Sequence, residues 1–364
     1  MNYPADKREY FKSLFISDTP LIDVRAEIEY EQGSFPTSIN LPILNTRERH
    51  EVGIRYKEQG QESAETLGNE LVSGDIRTSR TAAWLSFIDE HENAALYCFR
   101  GGRRSQIASQ WLTESGRSIE RIAGGYKDMR NYLLSQFEDL PALMIISGKT
   151  GVGKTELLLQ ITNAIDLEGR ANHRGSAFGR HIDPQPSQIN FENLVAVDLL
   201  KIKETSGTKP VFLEDEGRLI GRVHLPSALQ AKMKEAPIVL LEDSTENRVV
   251  RIFDEYIVRQ WRQYERNFLA AAYNAFSDYL ETAIDAIRKR LGGAGHKVVR
   301  GLLDKALSAQ QSGDFEQHKL WIHTLLEDYY DPMYSYQLEK KGDRIRFRGS
   351  MEEILHWTEQ QRMR

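Results

Sequence analysis

At 364 residues the chain is too long for one comfortable hydrophobic core, so two or three domains of roughly 100–200 residues each are expected. A formal net charge of −5 argues against a generally basic, nucleic-acid-coating surface and leaves any such partner to local segments. The single cysteine excludes an intramolecular disulfide and a structural zinc site of several thiolates, and no stretch approaches the roughly 20 apolar residues of a membrane span. The N-terminus lacks the apolar segment of a signal peptide, so a cytoplasmic location away from membranes is expected.

Residues 1–138 read as alternating strands and helices. Pro20-Leu-Ile-Asp-Val-Arg25 is a strand ending in an acid and a base, read either as a brace or as an exposed ion pair, and Gly33–Pro42 adds a loop and a second strand. Thr78–Glu90 is expected to be a helix, Ala94–Tyr97 a strand, and Gln106–Glu114 a helix with Ser105 as its N-cap. Arg121–Lys127 supplies another strand and a glycine turn before a closing helix, Asp128–Phe137. Such alternation gives a mostly parallel sheet covered by helices.

The pattern restarts near residue 139 as a second α/β domain, expected over 139–247. Ala142–Ser147 is an apolar strand, followed by Gly148-Lys-Thr-Gly-Val-Gly-Lys-Thr155 and a helix; residues 167–187 turn polar and loop-like. The strands Pro210–Leu213 and Pro237–Leu241 run into Glu214-Asp215-Glu216 and Glu242-Asp243. Residues 248–364 are expected to be mainly helical, with a tyrosine-rich turn at 329–336, a strand at 344–347 and a last helix.

Gly148, Lys149, Thr150, Gly151, Val152, Gly153, Lys154 and Thr155 satisfy the Gly-four-residues-Gly-Lys-Thr pattern between a strand and a helix. Glycines let successive N–H groups wrap a diphosphate, Lys154 adds a point charge, and Thr155 can coordinate magnesium if the ion is used. Its acidic partner would end a neighbouring strand, and Asp215 is favoured over Asp243, with a solvated strand end as the alternative. Phosphate binding follows from this loop; nucleotide hydrolysis does not.

Cys98 sits where the apolar run ends, ahead of two glycines and three arginines. A thiol at a strand end, facing a helix N-terminus, is expected to shift toward thiolate. Arg100, Arg103 and Arg104 cannot sit unpaired in a core, so anion-handling chemistry at Cys98 is favoured over a small buried hydrophobe, with Gly101, Gly102 and Ser105 as weaker substrate contacts. Arg170, His173, Arg174, Arg180 and His181 form a second basic cluster, readable as an anionic-substrate site or as a solvated loop; zinc at the histidines lacks a completing acid or thiol. Arg288-Lys-Arg290, His296, Lys297, Arg300 and Lys305, with Arg251, Arg259, Arg262 and Arg266 upstream, could meet phosphates, and Trp261, Tyr264 and Tyr334 could stack on bases. Ordinary salt-bridged helices fit that charge as well.

The first segment resembles a rhodanese domain through Leu21-Ile-Asp-Val-Arg25, Gly33–Pro42, the Cys98 loop and Gly124-Gly125-Tyr126. A rhodanese joined directly to a P-loop domain resembles the bacterial tRNA 2-selenouridine synthase family, and the likeness continues in Asp166–Arg180, Leu213–Gly221 (which adds Arg218 to the substrate-binding candidates) and Glu327–Lys341. The resemblance implies a transferase of α/β class: a rhodanese-like parallel-sheet domain, then a P-loop α/β domain, with a helical C-terminal region in a tRNA-binding role. It further implies that a tRNA carrying 2-thiouridine at the wobble position is S-geranylated with geranyl diphosphate, after which selenium from selenophosphate displaces the geranylthio group. Haem, flavin and zinc are not expected; the selenophosphate-producing enzyme is a candidate partner, and a monomer is compatible with the sequence.

The expected division places geranyl diphosphate at Gly148–Thr155 and selenophosphate at Cys98, with the thiolate attacking selenium and Arg100, Arg103 and Arg104 holding the phosphate. Many single-domain rhodaneses carry Cys-x-x-Gly-x-Arg-Ser, whereas Ser105 comes one residue later here. The longer loop matches the Cys-five-residues-Arg pattern of related phosphatases and widens the cradle for a phosphate-bearing donor. An ATP-dependent persulfide sulfurtransferase acting on tRNA, and a nucleotide-gated RNA-binding protein without catalysis, remain the alternatives.

Overall fold

Two parallel sheets carry the chain, as the two runs of alternating strands and helices predict. The computed structural model describes residues 5–362, which divide into unit 1, residues up to Asp139 with Pro186–Thr205, and unit 2, Leu140–Gln185 with the residues from Ser206 onward.

In unit 1, β1 (Leu21–Asp23), β2 (Ser38–Asn40), β3 (Ala95–Tyr97) and β4 (Glu120–Arg121) form a sheet ordered β2-β1-β3-β4, all pairs parallel. Ile22 and Leu96 are fully buried, as expected when helices cover both faces. The strand order reverses between β1 and β3, and ligands of open parallel sheets bind outside the carboxyl ends at such a switch point. Cys98 follows β3 directly.

Three features differ from expectation. Residues Thr46–Leu71 form a helix, kinked at Gly60, in which only Ala64 is buried; without an apolar stripe it carries no readable period. The helix after Cys98 starts at Arg103 with Gly102 as its cap, so Ser105 lies inside the first turn rather than at the N-cap. Asp23 and Arg25 are 0% and 2% exposed, so their pair is internal and not a surface one. The Arg25 guanidinium donates from Nε to both Asp23 oxygens (3.0 and 2.9 Å) and from a terminal nitrogen to Asp23 Oδ2 (2.6 Å) and the Gly33 carbonyl (2.7 Å). It also lies 3.8 Å from the Tyr126 ring centroid.

The helix Gln188–Ser206 buries Phe191, Val195, Ala196, Val197, Leu199, Leu200 and Ile202, and nearly all of it groups with unit 1 rather than with the P-loop segment before it. Asn193, fully buried, donates to the Ser34 carbonyl (2.6 Å) and accepts from Arg130 (2.8 Å).

In unit 2, β5 (Leu143–Ser147), β6 (Ala164–Ile165), β7 (Val211–Glu214), β10 (Ile238–Leu241) and β11 (Ile345–Gly349) make a parallel sheet ordered β11-β10-β5-β7-β6, while β8 (Leu219–Ile220) and β9 (Val223–His224) form a small antiparallel pair. Because the C-terminal region contributes edge strand β11, residues 248–364 share a unit with the P-loop and form none of their own. The expected tyrosine-rich turn is helical: a π-helical turn at Leu326–Tyr330 leads into the helix Asp331–Glu339. Pro332 lies in that helix's first turn, directly after the π-helical turn, and does not break the chain there. Among the described residues no helix is long and apolar enough to cross a membrane.

Removing one partner of a buried ion pair leaves the other charge uncompensated. Arg25→Met is expected to destabilise unit 1 by about 3–5 kcal/mol, read as a lowered denaturant midpoint; a loss under 1 kcal/mol would show that the pair is dispensable.

Candidate functional site

In unit 1 the Cys98 thiol is 3% exposed and donates to Ser105 Oγ (3.2 Å), which donates in turn to the Gly102 carbonyl (2.9 Å). The Ser105 hydroxyl can rotate to donate to a thiolate instead. Two glycines hold the loop in place. The Tyr126 and Lys127 N–H groups donate to the Cys98 and Phe99 carbonyls (both 2.9 Å), and a Cβ on Gly125, at φ +57°, would stand 2.1 Å from the Cys98 oxygen. The Gly124-Gly125 turn therefore packs its backbone directly under the cysteine loop.

The three arginines separate by partner. Arg104 forks onto Glu29 (2.5 and 3.0 Å). Burial alone raises the Glu29 carboxyl, but the Arg104 guanidinium outweighs it, and Glu29 titrates below the ordinary carboxylate range. Arg103, exposed, pairs with Glu65 at 3.0 Å. Arg100 is exposed, lies 5.8 Å from the Phe99 ring, and makes no hydrogen bond or ion pair among the described residues.

In unit 2 the loop Gly148–Thr155 joins β5 to a short helix, and the sheet order reverses between β5 and β10. The helical region closes over it. Arg248, 1% exposed, donates to the Thr150 carbonyl (2.9 Å) and forks onto Asp331 (2.9 and 2.6 Å), which also accepts from Lys149 (2.9 Å). The Tyr334 hydroxyl accepts from the Gly148 N–H (3.1 Å), and Arg251 donates to the Gly151 carbonyl (2.7 Å).

Asp215 and Asp243 take different roles. Asp215 accepts from Ser147 Oγ (2.6 Å) and from Lys341 Nζ on both oxygens (2.8 and 2.6 Å). Asp243 accepts from Arg251 (3.0 Å) and Asn247 (2.8 Å), bracing the start of the next helix. Asp215, not Asp243, lines the cavity of about 670 Å³ beside the loop.

Lys154, Thr155, Glu168, Arg174 and Glu216 share that cavity. Burial opposes the charge on Lys154, but Tyr334, Glu168, Glu216 and Asp215 outweigh it and hold the ammonium above the ordinary lysine range. Burial, reinforced by the Glu168 charge, pushes Glu216 up to about 8; burial raises Glu168 too, against the pull of Lys154. At neutral pH the two carboxyls therefore retain a proton between them.

Family models identify both halves. One described as "tRNA 2-selenouridine synthase AAA domain" matches residues 141–364, and one described as "Rhodanese-like domain" matches residues 7–132. A tRNA 2-selenouridine synthase of Sulfurovum sp. is 47% identical over 348 residues, covering 94% of this chain and 95% of that one. One of Marinobacter nauticus is 47% identical over 353 residues, covering 96% of each, and one of Photobacterium profundum is 44% identical over 361, covering 98% and 99%. The chain belongs to the tRNA 2-selenouridine synthase family.

Not every candidate residue joins the P-loop or the Cys98 loop. His181 and Arg174 line the unit 2 cavity, while Arg170, Arg180 and Arg218 are exposed and outside its lining. Burial, then the Arg174 charge, lowers His173 and takes His181 down to about 4, so both imidazoles are neutral at pH 7 and the arginines alone carry the cluster's charge. Tyr264 is 8% exposed within the helical core, Trp261 packs on Phe276, and Tyr334 touches the P-loop, so these are not free stacking platforms. Glu29, Glu168, Arg248, Asp331 and Lys341 escaped the residue-by-residue reading, and Glu216 entered it only as part of a strand-end acidic run. Except for Glu29 and Arg248, all lie in the stretches that carry the family resemblance, which was the available signal.

Glu216 yields a pH test. Below its ordinary 4.5 the carboxyl is neutral in both states; as pH rises toward about 8 the unfolded chain ionises while the fold keeps the proton, so stability is lost across that window. Glu216→Gln lacks this loss, and its melting temperature relative to wild type is expected to climb from pH 4.5 to pH 8 and then level. A constant difference would contradict the buried carboxyl.

Proposed function

We propose that this chain converts wobble 2-thiouridine of tRNA to 2-selenouridine by S-geranylation followed by selenium replacement. The single observation that carries the reading is the presence, in one chain of this family, of two loops suited to different anions: a P-loop opening on a cavity with an apolar wall, and a thiol loop that bears the exposed, acid-free Arg100.

In the first step the 2-thiouridine sulfur attacks the allylic carbon of geranyl diphosphate. A C–S bond forms, the C–O bond breaks, diphosphate leaves and the base loses its N3 proton. Backbone N–H groups of Gly148–Thr155 and the Lys154 ammonium hold the leaving diphosphate. Magnesium does not fit the residues as they stand, because Lys341 covers both oxygens of Asp215, and no step is routed through it.

Electron counting changes the second step from the sequence-based expectation. Selenium in selenophosphate is already at the selenide level, so a thiolate attacking selenium would expel phosphorus as phosphite. The balanced step is attack of the Cys98 thiolate on phosphorus: an S–P bond forms, the P–Se bond breaks, and hydrogen selenide leaves with the electron pair. Selenide then adds to C2 of the geranylthio-uridine and expels geranyl thiolate, while water frees phosphate from Cys98. Ser105 stabilises the thiolate, Arg100 and the loop N–H groups meet the phosphoryl oxygens, and Arg104, held by Glu29, fixes the loop. Exposed Arg288, Lys289, Arg290 and Lys297 beside the Gly292 kink are the proposed tRNA phosphate contacts.

Mass spectrometry of the tRNA nucleosides tests this assignment. Lys154→Ala is expected to abolish geranylation, and Cys98→Ser to leave geranylated uridine accumulating without selenated product. Loss of both products in a folded Cys98→Ser protein sinks the separate-site reading, and ATP binding without geranyl diphosphate binding turns it toward ATP-driven thiolation. Radiophosphate-labelled selenophosphate should leave label on Cys98 after an acid quench; radioselenium retained there instead would reject attack at phosphorus.

A further inference from the structure

The unit 2 cavity has apolar lining that the diphosphate contacts do not use. Phe178, Trp321, Ile322 and Leu325 supply it, and Trp321, Ile322 and Leu325 are each 2% exposed. Trp321 is the largest of the four and is held from several sides. Its indole N–H donates to His318 Nδ1 (2.9 Å), and its ring stacks on Phe178 with centroids 5.4 Å apart and planes 25° from parallel. His318 is fully buried, and burial takes it down to about 4, so the ring is neutral: Nδ1 accepts from Trp321 while Nε2–H donates to Gln310 Oε1 (2.9 Å). Phe178 is fixed in turn, its carbonyl accepting from the Tyr279 hydroxyl (2.5 Å).

An aromatic wall locked on its polar edge and on its face cannot swing aside, and close-packed interiors transmit rather than absorb an added isoprene unit. We infer that Trp321 sets the length of prenyl chain this site accepts: the geranyl tail ends against the indole, and farnesyl, one isoprene unit longer, is refused. The inference rests on the reading that the cavity receives a prenyl diphosphate. His318 is then a positioning residue, acting through the indole.

The test uses full-length wild type, Trp321→Phe and Trp321→Leu on tRNA carrying 2-thiouridine, supplied separately with dimethylallyl, geranyl and farnesyl diphosphate. Prenylated nucleosides are quantified by mass spectrometry. The farnesyl-to-geranyl ratio is expected to rise in the order Trp, Phe, Leu, by roughly 10-fold or more at Leu, the scale on which apolar pockets discriminate chain length. The conservative Phe variant keeps the comparison usable if Leu loosens the core. An unchanged ratio in variants that still transfer geranyl overturns the role of Trp321. Wild type transferring no prenyl group at all overturns the cavity assignment instead, so the two failures are distinguishable.

Discussion

The Arg248 guanidinium is the contact on which unit 2 depends. At 1% exposure it must be paired, and it finds its partners in two places distant in sequence: the Thr150 carbonyl inside the P-loop and the Asp331 carboxylate of a late helix. That fork brings the helix Asp331–Glu339 against the loop, so that Tyr334 reaches the Gly148 N–H and Lys149 shares Asp331. Without this junction the loop would be a bare phosphate cradle. With it, the loop opens on a cavity that residues of the helical core also line.

Unit 1 solves a smaller problem by similar means. Its sheet places Cys98 at the switch point, but backbone contact gives the loop its shape: Gly125 at φ +57° lies where any side chain would strike the Cys98 carbonyl. The Asp23–Arg25 fork anchors the end of β1 next door and reaches the Tyr126 ring of the same glycine turn. Arginines that look equivalent along the chain are then sorted by their acids. Glu29 and Glu65 occupy Arg104 and Arg103, leaving Arg100 at the exposed side of the loop.

Electrostatics distinguishes the two centres. The thiol loop sets the Ser105 hydroxyl on Cys98 and leaves Arg100 without an acid, whereas the P-loop cavity mixes Lys154 and Arg174 with Glu168 and Glu216, whose burial keeps a proton on the pair.

The local signals were legible because each has a short-range cause. Strand–loop–helix spacing, the glycine pattern at 148–155 and the lone thiol after an apolar run are set by backbone geometry within about ten residues, and they sufficed for both sheets and both loops. Asp215 was favoured because it ends a strand, although its partner Lys341 lies 126 positions away and could not be read from that local pattern. The tertiary structure decided the pairings that cost nothing until distant charges meet in a low-dielectric interior: Arg248 with Asp331, Arg104 with Glu29, Glu168 with Glu216. It also decided that the helix Gln188–Ser206 groups with unit 1 and that Tyr264 and Trp321 belong to a core, because an aromatic's role depends on what covers it. The sequence by itself determined the fold class, the glycine-lysine-threonine pattern and the lone thiol after a strand; only the folded chain determined which of the neighbouring charges are already paired.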